Sequence, residues 1–243
     1  SSSTSQAAAQ AVLVLSLRGD ELVDATVSAA DGSFTVQLPA DFTPATDRLV
    51  FALIATHADG SLAFAVARPD VPVGSWVVTQ APPAESSTFW SWSVDPSVVA
   101  SGSTILIGEA QGSAAVRVFD WARYAVRQSE SWFGKDGQSV LLWLAPEVTY
   151  SCGSCFTPWA AVVQGQAFAS QIWLPASSVE QRYWSEALVA HELGHWAMDS
   201  FGLLPPEVGS HCLGTPTFAG QAYSEGWATA FSSVLRAEPR HEA

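Results

Sequence analysis

His191, Glu192 and His195 stand in the order H-E-x-x-H within residues 187–199, ALVAHELGHWAMD. On a helix, positions i and i+4 lie one turn apart on the same face. Two imidazoles so placed can share one Zn²⁺, and the carboxylate beside the first can serve as a general base. A catalytic zinc ion takes three protein ligands and keeps a fourth position for water, so a third ligand must come from elsewhere. Glu207, His211, Cys212 and Glu225 lie downstream as candidates. Glu225 fits best: it belongs with Ala228, Thr229 and Ser232 to a small-residue face of a second helical segment, 221–235. Such a face can approach the first helix closely at Gly194, and a carboxylate buried there needs a cation. His211 lies in a Gly- and Pro-containing loop, where holding a ligand costs ordering entropy. Asp199 and Thr229, each one turn beyond a ligand, are candidates to orient His195 and Glu225.

The elements that must position these groups are legible to different degrees. Ser177 and Ser178 offer N-caps to the H-E-x-x-H helix, with Glu180 and Gln181 at capping-box positions. Trp184, Ala187, Leu188, His191, His195 and Met198 then follow one face, and Gly202 with Pro205 and Pro206 marks the end. In the second helix Tyr223, Trp227, Ala230, Phe231 and Val234 form a large apolar stripe. Upstream, 139–144 and 167–174 read as strands, 104–107 as a shorter one, and 152–166 as an irregular loop. A helix opens at Ser113, keeps Ala115, Val118, Phe119, Ala122, Ala125 and Val126 in register, and closes at Gly134. The order of strand, helix, strand, strand and metal helix is α+β.

Residues 10–80 have a different pattern. Apolar runs at 22–29 and 33–38 flank Asp31-Gly32, and runs at 49–56 and 61–67 flank Asp59-Gly60, each a hairpin signal. With the strand expected at 12–17 they suggest a small β-sandwich. Pro69, Pro72, Pro82 and Pro83 mark a linker, so the expected domains are 10–80 and 89–243.

The 243 residues are 48% hydrophobic and 14% charged, with a net charge of −13. This is a core-building chain whose acidity argues against nucleic acid or an anionic membrane as partner. No apolar run is long enough to span a bilayer, and the Ser- and Ala-rich start lacks the basic and apolar regions of a signal peptide. The absence of Asn and the single Lys135 fit a GC-rich, bacterial coding bias. Cys152 and Cys155 can form a local disulfide, or either can pair with Cys212.

The chain resembles the gluzincins, zinc metallopeptidases with an H-E-x-x-H helix and a Glu ligand on a following helix. The resemblance spans roughly residues 100–237 and is carried by HELGH at 191–195, with Asp199 four residues on, and by YSEGWAT at 223–229. It implies a zincin-like mixed sheet, His191, His195 and Glu225 as zinc ligands, Glu192 as base, and a peptide or protein substrate paired along strand 167–174. Gluzincins also supply a His or Tyr to the oxyanion; Tyr223 and His211 are the candidates. The stretch ATVSAADGSFTV at 25–36 resembles carboxypeptidase regulatory-like sandwiches. The expectation is a secreted or cell-surface bacterial hydrolase, the alternative a binding module whose zinc domain does not turn over.

Overall fold

The structure, a computed structural model, describes residues 8–41, 43, 45–71, 74–76, 87–94, 104–108, 112–176, 185–207 and 216–237. The strands of the first part are β1 (Leu13–Arg18), β2 (Glu21–Val27), β3 (Asp47–Ala52), β4 (Ile54–Thr56), β5 (Leu62–Arg68), β6 (Gly74–Trp76), β7 (Thr88–Phe89) and β8 (Ser91–Val94). Helix α1 (Ser113–Phe133) follows, ending at Gly134, whose positive φ of 68° suits the C-cap. Next come β9 (Val140–Leu144), β10 (Val148–Tyr150), β11 (Cys155–Thr157), β12 (Ala161–Val163), β13 (Gln166–Phe168) and β14 (Ser170–Leu174). The helices α2 (Glu186–Phe201) and α3 (Ala219–Ala237) complete the α+β architecture.

Two sheets organise the molecule. The N-terminal sheet is antiparallel, in the order β2-β1-β3-β8. The second is mixed, in the order β11-β14-β9-β5-β4, with β7 also paired to β5. Its centre, β14, β9 and β5, is parallel, and β9 and β14 are buried along their whole length. Parallel strands covered on both faces carry continuous apolar runs rather than alternation, and AFAVA, VLLWL and IWL are such runs. On one face Phe64, Val66, Leu142, Leu144, Ile172 and Leu174 pack with the helices. On the other, Ala65, Leu141, Trp143 and Trp173 pack under the short strands β10, β12 and β13.

The hairpins expected to close a sandwich within 10–80 divide between these sheets. The Asp59-Gly60 turn forms, and β4 pairs with β5, but β5 continues into parallel pairing with β9 in the mixed sheet. The Asp31-Gly32 turn also forms, with Ala29 N–H bonded to Ser33 O at 2.8 Å, yet 33–39 adopts no strand. The chain passes from one sheet to the other at Leu53, between β3 and β4, and at Trp90, between β7 and β8. Leu53 N–H donates to Trp90 O, Trp90 N–H to Val66 O and Val66 N–H to Leu53 O, each at 3.0 Å. The Pro-rich stretch therefore does not coincide with a division between sheets, although most of it, with Pro72, Pro82 and Pro83, lies outside the described residues.

Smaller differences have the same origin. Residues 104–108 form no strand, whereas 152–166, expected to be irregular, holds β11 and β12. Three-residue strands leave no periodicity to read. The strand expected over 167–174 is broken at Ala169, whose N–H bonds to Ser139 O at 3.0 Å.

The β1–β3 pairing is clamped at its end by Arg18. Its Nε and Nη2 each lie 2.9 Å from an oxygen of Asp47, and Nη1 lies 2.9 Å from Asp41. The Arg18 bond holds the Asp47 carboxyl at a pKa of about 2, well below its ordinary value. A depressed carboxylate contributes stability that is present above its unfolded pKa, about 4, and lost as pH falls through the folded value. Asp47→Asn should therefore lower the thermal midpoint at neutral pH, and the gap between wild type and variant should close between pH 4 and 2. A constant gap across that range would refute this account.

Candidate metal centre

α2 lies on the helical side of the mixed sheet, against β14 and β11, and α3 packs along it. Ser232 Oγ bonds to Ala187 O at 3.0 Å, and Trp227 Nε1 bonds to Gly194 O at 3.1 Å. Ser224 Oγ lies 3.0 Å from His195 Nδ1. Contacts that ascend α2 and descend α3 make the pair antiparallel. The crossing is closest where Gly194 meets Ala228: a Cβ at Gly194 would lie 2.8 Å from Ala228 Cα and 3.2 Å from its carbonyl oxygen. Backbone cannot yield as a side-chain tip can. Gly194→Ala should force the helices apart, cost about 1–3 kcal/mol in chemical denaturation and weaken metal uptake, since the donors sit on both helices. A variant with wild-type stability and metal affinity would show slack in the crossing.

This crossing brings His191, His195 and Glu225 together as a partly buried group suited to a metal ion. His191 Nε2 lies 3.1 Å from Glu225 Oε2, and His195 Nε2 lies 3.5 Å from Oε1. Around an ion with tetrahedral bonds of about 2.1 Å, as zinc makes, neighbouring donors stand about 3.4 Å apart. The donor set therefore fits such an ion. Burial opposes charging of His191, but the Glu225 bond and the Glu192 carboxylate prevail and raise its pKa.

Glu192 is 4% exposed. Burial pushes its carboxyl upward, the His195 and His191 imidazoles and the Ser154 hydroxyl pull it down, and the net direction is up. Ser154 Oγ is itself buried and makes no hydrogen bond of normal geometry among the described residues. Its loop is closed by the Cys152–Cys155 disulfide, which leads into β11, where the Phe156 ring stacks over His195 with centroids 6.5 Å apart.

The other expected site residues fall elsewhere. Asp199 is half-buried, which raises its carboxyl, while the Nδ1 of His195 is held by Ser224 instead. Ser224 was missed by sequence reasoning. The available signal was its i, i+4, i+8 spacing with Ala228 and Ser232, the line along which α3 meets α2. Thr229 is exposed, and its carbonyl accepts a bond from Ser233. Tyr223, 61% exposed, lines a groove with Phe133, Met198, Phe201, Leu203 and Trp227. The large apolar stripe of α3 is thus partly solvent-facing, with Val234 also exposed and Phe231 buried, while the small-residue face meets α2 as expected. Strand β14, expected at the cleft rim, is interior, and β11 is the edge. His211, Cys212, Trp184 and the capping residues Ser177, Ser178, Glu180 and Gln181 lie outside the described residues. Among the described residues no helix is long and apolar enough to cross a membrane.

No protein-family model matches the chain, and neither the curated proteins nor the solved structures contain a match.

Proposed function

We propose that the chain is a zinc-dependent peptidase that hydrolyses peptide bonds with a zinc-activated water. The observation that carries this reading is Glu192, an acid buried beside two metal-binding imidazoles on one helix. Holding a metal requires the three ligands; it does not require a further carboxylate, whose burial is costly. When bound, zinc would polarise the scissile carbonyl and bring the pKa of its water toward neutrality. His191, His195 and Glu225 would occupy three of its positions and leave one open. Glu192 accepts a proton from the water and delivers it to the leaving amine, and a carboxyl raised by burial suits both transfers. Ser224 Oγ accepts a hydrogen bond from Nδ1–H of His195, which leaves the Nε2 lone pair for the metal.

An extended substrate pairs its backbone with the edge strand β11, beside His195, rather than with β14. The gluzincin-like motifs at 191–195 and 223–229 support the same assignment of ligands and base. The Cys152–Cys155 disulfide suits an oxidising compartment, in keeping with secretion or surface display. The test is cleavage of an unfolded protein such as casein by zinc-loaded full-length chain, with chelated protein as the control. Failure of the loaded protein to cleave would favour the alternative, a binding module with a metal-braced domain.

A further inference from the structure

We propose that His57, Glu130 and Asp136 form a second divalent-cation site with zinc-type chemistry, separate from the H-E-x-x-H centre. The three residues come from distinct segments: the turn between β4 and β5, the last turn of α1, and the loop after its C-cap. Their donor atoms all fall within 4.8 Å of one another. His57 Nδ1 lies 3.2 Å from Glu130 Oε1 and 3.9 Å from Asp136 Oδ1. These separations bracket the roughly 3.4 Å expected between donors around a tetrahedral ion with 2.1 Å bonds.

An ion pair accounts for this arrangement less well. A proton on Nδ1 can serve Glu130, but 3.9 Å is too long for a hydrogen bond to Asp136, so two carboxylates converge on one imidazole nitrogen that can donate to only one of them. A cation placed among the three satisfies all of them. The His57 side chain is 6% exposed, so its ring is fixed, whereas Asp136 at 65% leaves the site open for entry of the ion and for water ligands.

The loop carrying Asp136 is also held in place. Gly137 N–H donates to Glu130 Oε1 at 3.3 Å, and Trp196 Nε1 donates to Gln138 O at 2.8 Å. Gly137 packs so closely on the Trp196 ring that a Cβ would come within 2.4 Å of it. Trp196 follows His195, so an ion at His57 would brace the loop on which α2 rests. The ligand set of one nitrogen and two oxygens suits Zn²⁺, Co²⁺ or Mn²⁺.

The test is calorimetric titration of chelator-stripped, full-length protein with Zn²⁺ alone. Wild type should take up two equivalents, and His191→Ala, which removes the first centre, should retain one. In the His191→Ala background, Asp136→Asn should weaken the remaining event at least tenfold, and His57→Ala should abolish it. Asp136 is exposed, so its variant tests the site without a folding penalty; thermal melts of metal-free protein check this. Absence of zinc uptake by His191→Ala would overturn the proposal, as would a remaining event that both substitutions leave unchanged. A single wild-type equivalent lost in His57→Ala but kept in His191→Ala would support this site and count against the peptidase reading, so the two fail separately.

Discussion

Glu192→Gln is expected to lower peptide hydrolysis by about 10²–10⁴-fold, the usual contribution of a positioned general base, while leaving zinc content unchanged. That corresponds to about 3–5 kcal/mol of transition-state stabilisation. Glutamine keeps the shape and volume of the side chain in a place where Glu192 is 4% exposed, so the packing between α2 and β11 should survive. What it removes is the capacity to accept a proton from the water. Because Glu192 is not among the three converging donors, metal analysis of the variant should match wild type. The loss should fall on kcat, since the interaction exists only as the proton moves. A variant that retains wild-type turnover would remove Glu192 from the mechanism, and one that loses zinc together with activity would reassign it to metal binding.

Glu225→Ala should abolish tight zinc binding at the His191/His195 centre, with affinity there falling at least 100-fold, and activity should fall with it. Losing an outer-shell partner already costs 10–100-fold, and this change removes a donor placed 3.1 Å and 3.5 Å from the two imidazole nitrogens. Zinc at 100 times its Kd stabilises a protein by about 2.7 kcal/mol through mass action. Wild type should therefore gain several degrees more in thermal midpoint on zinc addition than Glu225→Ala, and in a His57→Ala background Glu225→Ala should gain none. pH provides a second readout. In metal-free protein the raised pKa of His191 means that its pairing with Glu225 is stabilising below the unfolded value, about 6.5, and is lost as pH rises through the higher folded value. Protons and zinc compete for the same Nε2, so zinc affinity should fall with decreasing pH. Zinc uptake by Glu225→Ala equal to that of wild type would move the third ligand to another residue, with His211 first in line.

Much of the candidate site was local information. The i, i+4 spacing of His191 and His195 puts both rings on one face of any helix that forms, whatever surrounds it, and Glu192 necessarily sits beside them. Glu225 was legible one step less directly, because a lone acid among Ala228 and Ser232 has few partners besides a cation. Gly194 and that small-residue face also indicated a close crossing, and the 2.8 Å approach of a Gly194 Cβ to Ala228 bears this out. Helix periodicity likewise placed α1 with its Gly134 stop, and the two Asp-Gly turns formed as their residues demand.

What the tertiary structure alone decided was which distant segments pair. A turn sequence specifies that the chain reverses, but not which sheet receives the strands; that depends on contacts whose partners lie far away in sequence. β5 therefore left the expected sandwich for β9, while β11, three residues long and without periodicity, became the edge beside His195. The partner of His195 was decided in the same way. Asp199 is one turn away along α2, but the groups that reach Nδ1 are set by how α3 crosses, and Ser224 is the residue at that point. His57, Glu130 and Asp136 show the extreme case, three residues dispersed over 80 positions and drawn within 4.8 Å only by the packing of α1 against the mixed sheet.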